Sequence, residues 1–288
     1  MPPVSKLLEA VQRVVSEGEA REVVKGFDVV GDIAIVKIPE RLGDKRFAIA
    51  EAFLSEMPSL RVVLNQESPV EGRYRLRRLE WLAGERRTVT THREYGCLYR
   101  VDLAKVYFSP RLSHERMRIA SFVGEGEIVV NMFSGVGPYS ILIAKTCPGA
   151  KVYSIDINPD AVGLHKVNCR LNKVVGRVVV LEGDAREIIE EKLAGTADRV
   201  LMPLPEIALE SLEAAIRALR DLGWIHVYLH TPYGRRESEA LERSVEIVED
   251  RLESIGVKVL KASPRRVREV GTRVLQVCVD MKIEKTSF

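Results

Sequence analysis

The strongest constraint on the fold is a rhythm in the second half of the chain. Short apolar runs, EIVVNMF, KVYSIDI, RVVVLEGD, DRVLM and WIHVYLHT, alternate with amphipathic segments. These are YSILIAKTC, PDAVGLHKVNCRLNK, AREIIEEKL, EIALESLEAAIRALRDLG and SEALERSVEIVEDRLESIG, and VLQVCVDMKI closes the series as a strand. Apolar runs of this length fill both faces of a strand, and the segments between them have helical spacing. Repeated strand–helix alternation predicts an α/β fold, a doubly wound Rossmann-like parallel sheet. The first third has a different texture. DIAIVKIP alternates as a strand, KRFAIAEAFLSEM reads as a helix, and RYRLRRLEWLAG and RTVTTHREYGCLYRVDL read as antiparallel strands with turns at Gly84 and Gly96. A smaller α+β domain over 1–104 is therefore expected before an α/β domain over 105–288.

With 288 residues, 46% of them hydrophobic, the chain can build two cores. The four cysteines, Cys97, Cys147, Cys169 and Cys278, form no close pair and no CxxC, so a reducing cytoplasm is expected rather than a disulfide framework. The N-terminus lacks the apolar core of a signal peptide, and no run is long enough to span a membrane. No cluster of His, Cys and carboxylates is expected to hold a metal, and His226 and His230 are expected to pack on the fifth strand. The 30% charged content and scarcity of Asn and Gln suit a heat-adapted protein.

The most informative stretch is VVNMFSGVGPYS, residues 129–140. A buried strand runs into Gly135 and Gly137, and Pro138 suits the first turn of a helix. Glycines there let the backbone turn tightly and approach a ligand. The next strand ends in Asp156, 19 residues after Gly137, where a carboxylate can accept the hydroxyls of a ribose. This much fits a dinucleotide or S-adenosylmethionine. Three details favour S-adenosylmethionine: GxGPY lacks the third glycine of GxGxxG, Asp184 ends the third strand, and the fourth strand ends in the rigid Pro203-Leu204-Pro205 loop. Prolines cannot donate to a sheet ladder, so that strand must stop near Pro203.

Residues 72–118 hold twelve Lys or Arg against five Asp or Glu. Read as a strand, RYRLRR places Arg73, Arg75 and Arg77 on one face. Tyr74, Tyr95, Tyr99, Tyr107 and Phe108 lie among these charges, a mixture suited to phosphates and stacked bases. SPRRVREVGTR, residues 263–273, adds a second basic cluster.

YFSPRLSHER (107–116), NMFSGVGPYSILIA (131–144), DINPDAV (156–162) and MPLPEIALE (202–210) together resemble the archaeal and eukaryotic tRNA (guanine-37-N1)-methyltransferases and their wyosine-pathway relatives. The resemblance runs from about residue 28 to the C-terminus. It implies a class I methyltransferase domain preceded by a tRNA-binding domain, with S-adenosylmethionine as cofactor. The expected partner is the anticodon stem-loop of tRNA, met by a monomer without metal. Glu115 matches the family's proposed general base, Arg75 the arginine that steadies the guanine oxygen, and Tyr107 an aromatic active-site position. Phe133, Val136, Asp156 and Asp184 match cofactor contacts. Gly135, Gly137, Asn158, Ala185 and Pro203 complete the expected cofactor set. Arg73, Arg77, Arg111 and Pro205 are the expected RNA contacts. Taken without the resemblance, Glu115 reads as an ion-pair partner of Arg111 or Arg118.

Three departures stand out. The family's Asn-Leu-Pro is here Pro203-Leu204-Pro205, which removes an amide expected to touch guanine. Asn131 stands where the family has aspartate. Many archaeal members of the family carry an extra N-terminal domain, and this sequence is expected to start at the family's middle domain. The first departure keeps open a second substrate, the tricyclic wyosine precursor at position 37, methylated at C7. A branch that transfers the aminocarboxypropyl group is disfavoured, because its counterparts lack the arginine of FSPRL and the GVGP form.

Overall fold

The computed structural model describes residues 4–285. The chain divides into two compact units, residues 1–111 and 112–288. The division lies beyond the expected 104/105 because the intervening segment is tied to the first unit. Lys105 and Val106 donate their amides to the Asp102 carbonyl, and Arg77 Nη2 donates to the Phe108 carbonyl at 3.3 Å.

In the first unit, helices α1 (Val4–Gln12), α2 (Glu17–Lys25) and α3 (Arg46–Glu56) accompany a sheet of β1 (Asp28–Val30), β2 (Ile33–Val36), β3 (Val62–Gln66) and β4 (Leu79–Gly84). The strands lie in chain order, with β2 and β3 parallel and the outer pairs antiparallel. Val11, Val23, Ile49, Phe53 and Val63 are fully buried between helices and sheet. Each such side chain contributes roughly 1.5–3 kcal/mol of burial. A separate hairpin joins β5 (Val89–Glu94) to β6 (Cys97–Asp102). Its turn puts both Tyr95 and Gly96 in the left-handed region, at φ 45° and 72°, the geometry of a type I′ hairpin.

The second unit begins with α4 (Ser113–Ala120) and continues through β7 (Ile128–Asn131), α5 (Pro138–Thr146), β8 (Lys151–Asp156), α6 (Pro159–Leu171), β9 (Val178–Glu182) and the single turn α7 (Ala185–Ile188). There follow β10 (Ala197–Met202), α8 (Leu212–Ala218), β11 (Leu219–Pro232), α9 (Glu237–Glu253), β12 (Val257–Gly271) and β13 (Val274–Lys285). The seven strands are ordered β12-β13-β11-β10-β7-β8-β9. The five from β11 to β9 are parallel; β13 runs antiparallel to β11, and β12 antiparallel to β13. The sheet is thus not purely parallel: it ends in an antiparallel hairpin.

Three segments differ from expectation. Residues 72–75 form a turn, with Arg75 at φ 56°, so Arg73, Arg75 and Arg77 share no strand face. Helix α8 spans only Leu212–Ala218 of the expected 206–223. Residues from Leu219 pair with β10 instead, because Ala197 and Arg199 offer a ladder to Leu219 and Trp224 that outweighs the helix propensity of the ALRDLG stretch. Finally, the basic cluster at 263–273 lies largely on β12, unrecognised as a strand because Pro264 interrupts it. Its place at the sheet edge makes that proline tolerable.

Candidate functional site

β7 and β10 are neighbours, yet the chain leaves β7 towards β8 on one side and enters β10 from the other. This reversal opens a crevice at the carboxyl ends of the strands, where α/β sheets take their ligands. The Met132 amide donates to the Leu201 carbonyl at 3.0 Å, so the glycine loop and the proline loop start side by side. Gly135 and Gly137 have φ of 53° and 91°. Gly135 donates its amide to Asp156 Oδ2 at 2.6 Å, and Gly137 donates to the Ser134 carbonyl at 3.0 Å. Beneath the loop, the buried His165 ring faces Gly137 and contacts Ser134 Oγ at 3.3 Å. Burial depresses this imidazole to a pKa of about 3, so it is neutral.

Around the crevice, Asp156 is half-buried at the end of β8, and Asp184 caps α7 just beyond β9. Burial raises the Asp156 carboxyl above its ordinary value, opposed by amide donors from Asn158, Gly135 and Ile157. Asp184 accepts the Arg186 amide at 2.9 Å and also the Arg186 guanidinium. Asn158 is committed to capping α6, accepting the Asp160 amide at 3.0 Å. Val136 and Ala185 are buried, while Phe133, Pro203 and Pro205 are half-buried. Strand β10 ends at Met202, and Pro203 begins the loop. Carboxylates at the ends of two consecutive strands, beside a glycine turn, are a donor and acceptor set that fits an adenosine with its ribose.

Glu115 lies on α4 with its side chain 7% exposed. Its Oε1 accepts from Tyr228 Oη at 2.7 Å and Arg118 Nη2 at 2.6 Å, and its Oε2 accepts from Arg118 Nε at 2.7 Å. The ion pair with Arg118 read from sequence is therefore real, but it is buried rather than superficial. Tyr139, one residue after Pro138, donates to Tyr228 Oη at 3.2 Å. Burial raises both phenols, so both remain protonated at neutral pH. Arg118 reaches on to Asp280, with Nη1 to Oδ2 at 2.5 Å. Burial opposes the Arg118 charge, and the bonds from Glu115 and Asp280 outweigh it. Sequence reasoning missed Tyr228, His226 and Asp280 as part of this site. The available signal was a lone carboxylate inside the apolar run VCVDMKI.

The remaining expected residues lie in the first unit. The Arg75 guanidinium stacks over Tyr107 at 5.0 Å from the ring centroid. Arg77 serves the fold: Nη1 donates to Gln66 Oε1 at 3.1 Å, while Nη2 reaches Phe108. Arg111 pairs with Asp28 at 2.5 Å, and Arg73 is exposed. A cleft in this unit is lined by Arg87, His92, Arg93 and Arg100, with Arg87 tied to Asp32.

His226, Cys278 and Asp280 bring potential ligand atoms within 4.8 Å of one another, the grouping that sequence reading did not find. Their atoms are already committed. Arg199 Nη1 lies 2.7 Å from His226 Nε2, and a guanidinium can only donate, so the ring carries its proton on Nδ1 and donates to Asp280 at 2.5 Å. Cys278 Sγ donates to the same carboxylate at 3.3 Å.

A Rossmann-like sheet closed by an antiparallel hairpin, a glycine loop after its first strand and strand-end carboxylates define a class I methyltransferase. The sequence profile of the TRM5/TYW2 methyltransferase domain matches residues 90–260, and that of the TYW2 N-terminal domain matches 7–88, reaching further towards the N-terminus than the motifs did. The chain belongs to the TRM5/TYW2 family. It is 42% identical over 257 residues to the tRNA (guanine(37)-N(1))-methyltransferase Trm5b of Pyrococcus abyssi, covering 89% of this chain and 74% of that one. It is 39% identical over 220 residues to the tRNA 4-demethylwyosine(37)-methyltransferase Taw21 of Saccharolobus solfataricus, covering 76% and 83%. Among solved structures, that of Pyrococcus abyssi Trm5b superposes with a TM-score of 0.83 at 38% identity, covering 96% and 80%. A complex of aTrm5 with tRNALeu gives 0.81 at 33% identity, covering 98% and 79%. A TYW2 of M. jannaschii in complex with AdoMet gives 0.68 at 28% identity, covering 90% and 99%.

Proposed function

We propose that the chain methylates N1 of guanine 37 in tRNA, beside the anticodon, with S-adenosylmethionine as donor. The observation that carries the reading is the buried Glu115 carboxylate, fixed by Arg118 and Tyr228 in the methyltransferase unit. The relatedness to guanine-37 methyltransferases over most of the chain supports it.

Guanine N1 bears a proton at neutral pH, so attack on a methyl group requires its removal. Glu115 accepts that proton. The N1 electron pair forms the new bond to the methyl carbon as the sulfonium–carbon bond breaks, leaving S-adenosylhomocysteine. S-adenosylmethionine supplies the electrophilic methyl; Gly135, Val136, Gly137, Phe133, Asp156, Asn158, Asp184 and Ala185 hold it, with Pro203 at its edge. Negative charge spreads to O6 as N1 is deprotonated, which a guanidinium stabilises. By family resemblance Arg75 is the residue assigned to that role, and within the first unit its guanidinium is held over the Tyr107 ring. The first unit binds the anticodon stem-loop through exposed charges such as Arg73 and Arg111 together with the arginine-lined cleft, whereas Arg77 is spent on the fold, and Pro205 borders the base pocket. A target base in a loop turns out at less cost than one in a duplex.

One observation favours a second substrate. Pro203 offers neither a side-chain amide nor a backbone donor, so the loop has lost a group able to grip guanine. The tricyclic wyosine precursor, larger and less polar, suits such a pocket, and a relative of that specificity matches most of the chain.

The test uses purified protein, S-adenosylmethionine and two tRNAs, one with guanosine and one with the tricyclic base at position 37. Mass spectrometry of the nucleosides identifies the product. N1-methylguanosine, abolished by Glu115→Gln, is the expected result. Methylation of the tricyclic base alone transfers the assignment to the second substrate, and Pro203→Asn should then raise guanine methylation. No product from either overturns the reading.

A further inference from the structure

The face of the sheet beneath Glu115 is more polar than a core requires. β11 and β13 pair so that His226 lies opposite Asp280 and Tyr228 opposite Cys278. Side chains two apart on a strand share a face, so one patch of this ladder presents all four groups. All four residues are at most 7% exposed. A buried ion network is seldom retained for stability, since apolar residues of similar volume often do as well or better. The network here ends on the proposed base.

We infer that Asp280 is a positioning residue for Glu115, acting through Arg118, with His226 fixing Asp280 in turn. The arginine is shared. Nε and Nη2 lie against the two oxygens of Glu115, and Nη1 and Nη2 reach Asp280 at 2.5 and 3.2 Å. A fork held at both ends cannot rotate, so the Glu115 carboxylate is locked in one orientation.

The sharing also settles the charge. A lone Glu115–Arg118 pair would be neutral, and protonating Glu115 would leave a buried cation unpaired. With Asp280 present, two carboxylates flank one guanidinium, and Glu115 can take a proton while Arg118 keeps an anionic partner. Asp280 cannot take that proton itself: burial alone would raise its carboxyl, but the bonds from His226 and Arg118 outweigh burial and hold it well below the carboxylate range. The other titratable groups near Glu115 are Arg116 from α4, Tyr139 from α5, and Tyr228 and Cys278 from the ladder, and none supplies this second negative charge. His226 is depressed by burial against the pull of Asp280 and stays a neutral donor.

The inference rests on the proposed role of Glu115, so the experiment includes that residue. Single-turnover methylation of a guanosine-37 transcript is followed from pH 5 to 9 for the wild type, Asp280→Asn, His226→Asn and Glu115→Gln. Calorimetric titration of S-adenosylmethionine and thermal melting accompany each. Asp280→Asn is expected to lower the plateau rate tenfold or more and to move the acid limb to lower pH, because Arg118 then resists protonation of Glu115. Cofactor affinity should stay within twofold. His226→Asn should shift the limb in the same direction by less, and it carries the test by the same criteria if Asp280→Asn does not fold. A fall in rate or melting temperature with an unmoved acid limb means a merely structural role and overturns the inference. So does a wild-type rate in Asp280→Asn while Glu115→Gln is inactive, and in that case the proposed function stands. Full activity of Glu115→Gln overturns both.

Discussion

Gly137 sits against His165 so closely that a Cβ there would lie 2.2 Å from Nε2 of the ring. Its φ of 91° is also one that side-chain-bearing residues avoid. Gly137→Ala should therefore displace the ring or the loop. Gly176 is the control, with φ 89° and nothing within 4 Å of where a methyl group would stand, so alanine there meets only the backbone cost of about 1–2 kcal/mol. Denaturant unfolding should show Gly137→Ala to be destabilised by more than the control, and calorimetry should show its S-adenosylmethionine affinity lost while Gly176→Ala binds normally.

His165 gives a signed pH dependence. Its folded pKa of about 3 lies below the ordinary 6.5, so between those values the unfolded chain binds a proton that the native protein refuses. Stability is therefore complete above pH 6.5 and falls as the pH drops towards 3, by up to about 1.4 kcal/mol per pH unit. His165→Gln should remove this slope. Urea midpoints at pH 7, 6, 5 and 4 give the comparison, and His226, depressed in the same direction, is common to both proteins.

Arg199 is 3% exposed and binds Glu127 through two nitrogens, the Phe122 carbonyl and His226. Arg199→Met leaves Glu127 and the imidazole without their donor. Breaking a fully buried pair from one side costs about 3–5 kcal/mol. The Glu127 side chain is 24% exposed, so a loss below that range is expected in guanidinium titrations.

Arg73 and Arg77, four residues apart, should behave oppositely. Arg73→Ala should weaken tRNA binding and reduce its salt dependence by about one released counterion, with no change in melting temperature. Arg77→Ala should lower the melting temperature, because it loses bonds to Gln66 and to the Phe108 carbonyl. Filter binding at several salt concentrations, with parallel melts, separates the two.

The contrast shows which parts of the molecule were legible in sequence. The strands of the methyltransferase unit read well because apolar runs such as IVVN and VLM must be buried on both faces of a parallel sheet. The glycine loop read well because a positive φ and a close approach demand glycine. Arg77 did not, since nothing local distinguishes an arginine that binds RNA from one that clamps a carbonyl 31 residues away. The helix expected before Trp224 failed for a related reason: pairing of Leu219 with Ala197 is a long-range choice that local propensity cannot see. Tyr228 reaches Glu115 from 113 residues away, and Asp280 reaches Arg118, the partner of Glu115, from 162 residues away. Only the register of β11 against β13 brings them there.

β12 is the last strand of its sheet on that side, and one of its edges has no β-strand partner among the described residues. Such an edge is a template on which a second molecule can continue the ladder. Here the run from Val257 to Gly271 carries Lys258, Lys261, Arg265, Arg266 and Arg268, has Pro264 in its middle and shifts register three times against β13. A strand so charged, bent and short of donors cannot zip onto a copy of itself. Charges, a proline and register shifts on an edge strand are the features that disfavour pairing with a second copy, so the same basic residues that in sequence look like an RNA-binding surface also blunt this edge.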